Sequence, residues 1–249
     1  MIEANVEERP LNRDAIKYIA MFTMLLNHIA NIFLETGTWL CELFLAVGYF
    51  TAIAMIYFLV EGYDYTRSRK KYILRLLIFG IISQIPYCMA FAEEGIIEPY
   101  NLNMMFTLAL CFGLIWVFDV CQNNFVKVVA AIGAILLSTL CSWAILAPVY
   151  TLLFIWARHS ERKTKIAFLV ATLLFGAMNF LGGRSHFPAS QNIAFTLLGM
   201  AGTGLAALCI LYLYNGKRAD KWRTFSKWFF YAFYPAHLLI LGLIRIAIA

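Results

Sequence analysis

Long apolar runs alternate with short polar or charged segments along almost the whole chain. A helix needs about 20 residues to cross the hydrocarbon core of a bilayer, and most of these runs approach that length. The pattern therefore predicts an all-α, polytopic transmembrane helical bundle of about nine spans, forming a single domain over residues 1–249. The predicted spans are 15–34, 39–60, 72–92, 102–119, 125–141, 143–157, 166–181, 191–214 and 228–247.

Residues 125–157 divide less clearly than the rest. Either two short helices turn near Ser142 and Trp143, or one long helix carries a re-entrant stretch around Pro148. The first division gives nine spans, and other divisions give eight or ten.

Composition agrees with a membrane protein and narrows the chemistry. Of the 249 residues, 62% are hydrophobic and 14% are charged, and the mean hydropathy is +0.75, far above that of a soluble domain. The six cysteines lie singly among apolar residues, so no metal site is expected. The first fourteen residues are too highly charged for a cleavable signal peptide, and the first span is expected to stay in the mature protein.

The basic residues predict the orientation. With the N-terminus in the cytoplasm, all of the 20 Lys and Arg residues except Arg184 and Arg245 fall on the cytoplasmic side. Because cytoplasmic loops are enriched in Lys and Arg, this distribution favours an odd number of spans and a multi-pass protein of the cell inner membrane. The net charge of +6 thus reflects topology, and no nucleic-acid partner is expected.

The first span has a polar face. Thr23, Asn27 and Asn31 recur every four residues, and His28 lies beside them, about 22 Å along the helix from Arg13 and towards the outer end. An imidazole facing lipid is unfavourable, so His28 is expected to face other helices or a wet cavity. There it either orders helix packing through a hydrogen bond or takes part in chemistry.

Other polar residues at membrane depth are candidates as well. Tyr234 and His237 flank a proline in the last span, where they either line a cavity or accompany a structural kink. Asn103 opens the fourth span at its outer end, on the same helical face as Thr107. It either lines the outer cavity or caps the helix.

A dense cluster of cations follows the second span. It comprises Arg67, Arg69, Lys70, Lys71 and Arg75. The cluster either sets topology at the lipid headgroups or forms a cytoplasmic anion site, since Arg and Lys suit phosphate oxygens.

Several segments together resemble the TraX family of membrane proteins, which is named after the conjugative pilin N-acetylase. They are residues 27–28, 60–62, 66–75, 81–86, 101–108, 214–216 and 230–237. The family in turn is similar to a wider class of membrane-embedded acyltransferases, which transfer acetyl groups from cytosolic acetyl-CoA to an acceptor across the bilayer. The resemblance implies a single acyltransferase-like domain and a catalytic role for His28.

The resemblance also implies a mechanism. The phosphates of acetyl-CoA are expected to bind the cations from Arg67 to Arg75, while His28 acts as general base. Asn27, Asn103 or Tyr234 is expected to donate to the developing oxyanion, with His237 in the same site. The family often has Asp where this chain has Asn27, so either the Asn27 carbonyl or Glu35 is expected to orient the imidazole.

The sequence allows more than one acceptor, reaction path and class of function. The acceptor is a pilin amino terminus, a glycan or another small amine or alcohol, and the reaction proceeds by direct transfer or through an acetyl-histidine. The oligomeric state is not predicted. A secondary transporter should show paired repeats, which are absent from the sequence, whereas a non-catalytic factor for pilus or secretion assembly would not require a polar face beside a histidine.

The charge distribution predicts the location of the C-terminus. Nine spans with a cytoplasmic N-terminus place the end of the chain outside the cytoplasm. Alkaline phosphatase, which is active only after export, should therefore be active when fused after Ala249. A reporter that is active only in the cytoplasm should be inactive at the same position; the opposite result would show an even number of spans.

Overall fold

The computed structural model describes residues 8–219 and 221–248, and nine α-helices follow one another within these ranges. They are α1 (Arg13–Phe33), α2 (Trp39–Asp64), α3 (Arg69–Ala90), α4 (Met104–Val120), α5 (Asn124–Ser138), α6 (Leu146–Ala157), α7 (Glu161–Gly183), α8 (Ala189–Leu208) and α9 (Arg223–Ile248). A π-helical turn, Cys209–Leu213, extends α8.

The helices lie where the hydropathy pattern predicts them. Six are long and apolar enough to cross a membrane: α1, α2, α3, α7, α8 with its π-helical turn, and α9. The predicted all-α, multi-pass architecture is therefore confirmed.

The three remaining helices are shorter. α4, α5 and α6 have 17, 15 and 12 residues, so α5 and α6 are about 22 and 18 Å long, less than the hydrocarbon core of about 30 Å. They are separate helices joined at residues 139–145, which include Ser142 and Trp143. Of the two divisions of residues 125–157, the one with two short helices is the observed one.

A backbone contact ties the two ends of the α1–α8 segment together. The Leu11 N–H donates to the Leu213 carbonyl (3.0 Å), and the Asn215 N–H donates to the Leu11 carbonyl (2.9 Å). The start of α1 and the end of the π-helical turn that extends α8 therefore lie next to each other. Eight helices connect these two points, as an alternating bundle requires.

Two side-chain contacts give the same result for other helices. Arg158, after α6, pairs with Asp64 at the end of α2 (3.3 Å), and four helices separate them. Arg245, in the last turn of α9, donates to the Met89 carbonyl near the end of α3 (3.0 Å), and six helices separate them. Both counts are even, which agrees with nine helices that alternate in direction.

The helices group into two compact units. The first contains the described residues up to Met55 and those within Phe168–Phe230, and the second contains Ile56–Ala167 and the described residues from Tyr231 onward. α2, α7 and α9 each contribute residues to both units.

Small residues permit close helix packing in the first unit. A Cβ at Gly202 of α8 would overlap the carbonyl oxygen of Ala46 on α2, and a Cβ at Gly48 of α2 would overlap the side chain of Asn27 on α1. Close approach of this kind is typical of helix interfaces in membranes, where lipid provides no hydrophobic driving force for association.

Aromatic side chains fill the second unit, where α4 packs against α3, α5 and α6. Phe112 of α4 is fully buried. Its ring stacks on Tyr72 of α3 at 4.6 Å and lies 5.3 Å from the ring of Tyr63 on α2. This aromatic cluster packs beneath the cations at the start of α3.

The packing at Gly202 predicts a stability effect. Gly202→Ala should lower the free energy of unfolding by about 1–3 kcal/mol, because the added methyl meets backbone that moves only with the whole helix. Thermal unfolding of the purified protein in detergent measures this effect. Gly204→Ala is the matched control: it lies two residues away on α8 with nothing within 4 Å of the added Cβ, and it should leave stability unchanged or raised. Equal melting temperatures for the two variants would contradict the predicted packing.

Candidate functional site

The polar face of α1 lies against α2. The Thr23 and Thr51 hydroxyl oxygens are 2.9 Å apart, and they lie 3.0 and 2.6 Å from the Ala20 carbonyl oxygen. Asn27 Nδ2 donates to the Leu45 carbonyl (3.2 Å). The predicted stripe is thus an interhelical hydrogen-bonded seam, which satisfies polar groups within an apolar environment.

Asn27 is fixed on both sides of this seam. Besides its bond to Leu45, its Oδ1 accepts a hydrogen bond from Asn31 Nδ2 (3.1 Å), which also donates to the Asn27 backbone carbonyl (2.8 Å). Gly48 lets α2 approach its side chain closely. One amide proton of Asn27 is therefore engaged, and no acceptor for the second lies among the described residues.

His28 follows Asn27 on α1 and is half-buried. It lies about 22 Å beyond Arg13 along the axis, in the half of α1 that the charge distribution predicts to be the outer one. Of the two residues predicted to orient its ring, Glu35 is exposed beyond the end of α1. Its carboxylate makes no ion pair or hydrogen bond within the described residues.

Asn103 caps α4. Its Oδ1 accepts from the Met105 N–H (3.0 Å), and its Nδ2 donates to the Gly80 carbonyl (2.8 Å) and to Gln84 Oε1 (2.8 Å). The side chain is fully buried. The sequence left open whether Asn103 caps the helix or lines a cavity, and the structure has it as a cap. Both of its amide protons are engaged by α3, so it has none left for an oxyanion.

Tyr234 and His237 lie close to this cap within the second unit. The Tyr234 hydroxyl accepts from the Met104 N–H (3.2 Å), the residue after Asn103. The His237 ring lies 5.6 Å from Tyr234, stacks on Phe233, and places Nδ1 2.8 Å from the Phe233 carbonyl of its own helix. Asn103, Tyr234 and His237, which are all predicted site residues, are therefore neighbours. Their hydrogen bonds satisfy backbone N–H groups at the start of α4 and backbone carbonyls of α3 and α9.

The turn between α5 and α6 is strained. Trp143 and Ile145 have φ of 59° and 65°, a region that bulky and β-branched residues rarely adopt. The Ile145 N–H donates to Ser138 Oγ (2.9 Å) and the Thr107 hydroxyl donates to the Ser142 carbonyl (2.8 Å). These hydrogen bonds hold the turn against α4, so Thr107 has a structural partner.

One member of the cation cluster is already paired. Arg69 Nη2 lies 3.0 Å from Asp119 Oδ2 at the end of α4, and its guanidinium lies 4.6 Å from the centre of the Tyr63 ring. The Tyr63 hydroxyl donates to the same carboxylate oxygen (3.1 Å). Arg69 therefore connects α2, α3 and α4 and is less available to a ligand.

The other four cations of the cluster differ from Arg69 in their surroundings. Arg67, Lys70 and Lys71 are exposed, and within the described residues no carboxylate pairs with them or with Arg75. The guanidinium of Arg75 lies 5.5 Å from the centre of the Tyr72 ring, and its Nε is buried without a hydrogen-bond acceptor among the described residues. The N-terminus of α3 adds partial positive charge, so this end of the helix is suited to an anion.

Comparison with known proteins identifies the family. The sequence model described as "TraX protein" matches residues 12–245, from the N-cap of α1 into the last turn of α9. The chain belongs to the TraX family. A curated relative, the "Probable fimbrial assembly protein FimC, serogroup H1" of Dichelobacter nodosus, is 29% identical over 233 residues, which is 91% of this chain and 92% of that protein. No solved structure matches the chain significantly.

The TraX match covers residues that sequence reasoning passed over. Asp119 and Tyr63 organise the cation cluster, and Gln84 holds Asn103. A lone carboxylate at the end of an apolar helix, such as Asp119, is usually paired, so it was a signal for a basic partner. Tyr63 and Gln84 carry no such signal in the sequence.

Proposed function

We propose that this protein is a membrane-embedded acetyltransferase that moves an acetyl group from cytosolic acetyl-CoA to an amine or hydroxyl at the outer side of the cell inner membrane. The observation that carries the proposal is a half-buried histidine, His28, beside the hydrogen-bonded seam of α1 and α2. Membership of the TraX family supports it, because the family resembles acyltransferases with a histidine in this position.

His28 acts as the general base. One ring nitrogen takes the proton from the acceptor amine or hydroxyl while the acceptor atom attacks the thioester carbonyl. The tetrahedral intermediate then collapses, the carbon–sulfur bond breaks, and the CoA thiolate leaves and takes up a proton. Imidazole suits this role because it gains and loses a proton near neutral pH.

Asn27 is the oxyanion donor that we favour. It is next to His28 in the first unit, it is held in place by Leu45 and Asn31, and its second amide proton has no acceptor among the described residues. A donor fixed before the reaction stabilises developing charge without reorganisation. Asn103 is removed from this role because its two amide protons are engaged on α3.

An acetyl-histidine intermediate is the alternative chemistry. In that case His28 attacks the thioester itself, and the acceptor takes the acetyl group in a second step. Incubation with radiolabelled acetyl-CoA and no acceptor separates the two mechanisms: label retained on His28 would exclude direct transfer.

The donor phosphates bind the unpaired cations of the α3 start. Arg67, Lys70, Lys71 and Arg75 supply this charge, and the buried, unsatisfied Nε of Arg75 supports an anionic ligand. Arg69 is assigned a positioning role, since Asp119 holds it against Tyr63.

The acceptor proposed first is the amino terminus of a pilin subunit. The relative from Dichelobacter nodosus supports it, because its name describes a fimbrial assembly protein. The same name favours a second candidate function, a pilus assembly factor without catalysis. The variant His28→Ala distinguishes the enzyme from the non-catalytic assembly factor.

Substitution of His28 tests the enzyme proposal. His28→Ala should lower acetyl transfer, or acetyl-CoA hydrolysis in the absence of acceptor, by about 10²- to 10⁴-fold, the usual contribution of a general base. Release of CoA thiol by the purified protein measures this rate. His186→Ala is the matched control, since His186 is exposed in the α7–α8 loop; it should keep the wild-type rate. Equal rates for wild type and His28→Ala, with both proteins folded, would leave only the non-catalytic candidate.

Charge reversal tests the donor site. The double variant Arg67→Glu, Arg75→Glu should raise the KM for acetyl-CoA at least about tenfold, because each charge-assisted hydrogen bond to phosphate is stronger than a neutral one. Arg162→Glu is the control, because it reverses the charge of an exposed arginine at the start of α7. An unchanged KM in the double variant would remove these residues from the donor site.

A further inference from the structure

Arg158 has an incomplete set of hydrogen bonds. It directly follows α6, and only 18% of its side chain is exposed. Its Nη1 lies 3.3 Å from Asp64 Oδ1, whereas its Nε and Nη2 are buried and have no acceptor within residues 8–219 and 221–248. Donors of a charged group that are removed from water without a partner are strongly unfavourable.

In the part of the chain that the structure describes, the surroundings supply charge balance but no acceptor for these two nitrogens. The guanidinium groups of Arg158 and Arg69 lie 5.4 and 4.6 Å from the centre of the same ring, that of Tyr63. Asp64 balances Arg158, and Asp119 balances Arg69. Both carboxylates are therefore already in ion pairs. Nε and Nη2 of Arg158 still need oxygen atoms to accept their hydrogen bonds.

We propose that the Nε–Nη2 edge of Arg158 binds a phosphate group at the cytoplasmic face. This edge presents two parallel N–H donors, which match two oxygens of one tetrahedral anion. Arg67, Lys70 and Lys71 are exposed and form no ion pair with a carboxylate of the described residues, so they provide positive potential that attracts such an anion to this end of the second unit.

The phosphate has two possible sources, with the same chemistry. One is a nucleotide such as coenzyme A, and the other is the headgroup of an anionic lipid in the cytoplasmic leaflet. The inference goes beyond acetyl transfer, because it concerns binding alone and involves neither His28 nor an acceptor. A failure of the acetyltransferase proposal would leave it standing, and its own failure would leave the role of His28 untouched.

Two binding measurements on the full-length protein test it. In detergent, titration calorimetry with coenzyme A measures nucleotide binding. In nanodiscs, the rise in melting temperature when phosphatidylglycerol replaces part of the phosphatidylcholine measures headgroup binding. Arg158→Gln should weaken the response to one probe by about ten- to hundredfold in affinity, or abolish the lipid-dependent rise. Which probe is affected identifies the source of the phosphate.

Two further variants complete the experiment. Arg162→Gln removes the same charge from an exposed arginine four residues away and should respond to both probes as wild type does. Arg158→Lys keeps a positive charge for Asp64 but lacks the two-nitrogen edge, so it should fold and show the same loss even if Arg158→Gln does not fold. Wild-type responses to both probes in Arg158→Lys, or in a folded Arg158→Gln, would overturn the assignment.

Discussion

A polar group inside a bilayer has to find its partner within the protein, because lipid tails offer none. This constraint explains the contacts on which the structure depends. Asn27 reaches the Leu45 carbonyl, Asn103 completes the end of α4, and Arg245 donates to carbonyls at the end of α3 and beyond it. Each contact fixes the position of one helix along another. The same constraint makes the exceptions informative: Arg75 Nε and Arg158 Nε and Nη2 are buried with no hydrogen-bond acceptor among the described residues.

The helices were predictable because their signals are local. A run of about 20 apolar residues and a cation-rich connection are read directly from the chain, and both place α1, α2 and α3 within a few residues of their observed bounds. The division of residues 125–157 was predictable only as one of two alternatives, since the strained turn at Trp143 and Ile145 depends on Ser138 for its hydrogen bond. The cap at Asn103 was likewise predicted as one of two roles. The hydrogen bond of Asn103 with Gln84 and the pairing of Arg69 with Asp119 were not predictable, because these partners lie 19 to 50 residues away along the chain.

The candidate residues form two groups. The cation cluster lies at the start of α3, which the charge distribution predicts to be cytoplasmic, and the same topology predicts that His28 lies in the outer part of α1. The family match extends over residues 12–245, so both groups of residues belong to the part of the chain that carries it. The paired members of the cation cluster and the unpaired ones have different roles: Arg69 with Asp119 and Tyr63 shapes the surface, and Arg67, Lys70 and Lys71 give it charge.

The backbone bridge between Leu11 and Asn215 has a consequence for biosynthesis. Arg9 and Tyr214, which lie beside the bridge and are also hydrogen-bonded, are separated by 205 residues. At roughly 5–20 residues per second, a ribosome needs about 10–40 s to make that length of chain. The residues just before α1 therefore acquire these partners only after α1 to α8 have been synthesised. The closing of that bridge thus reports that the chain has been made at least as far as Asn215.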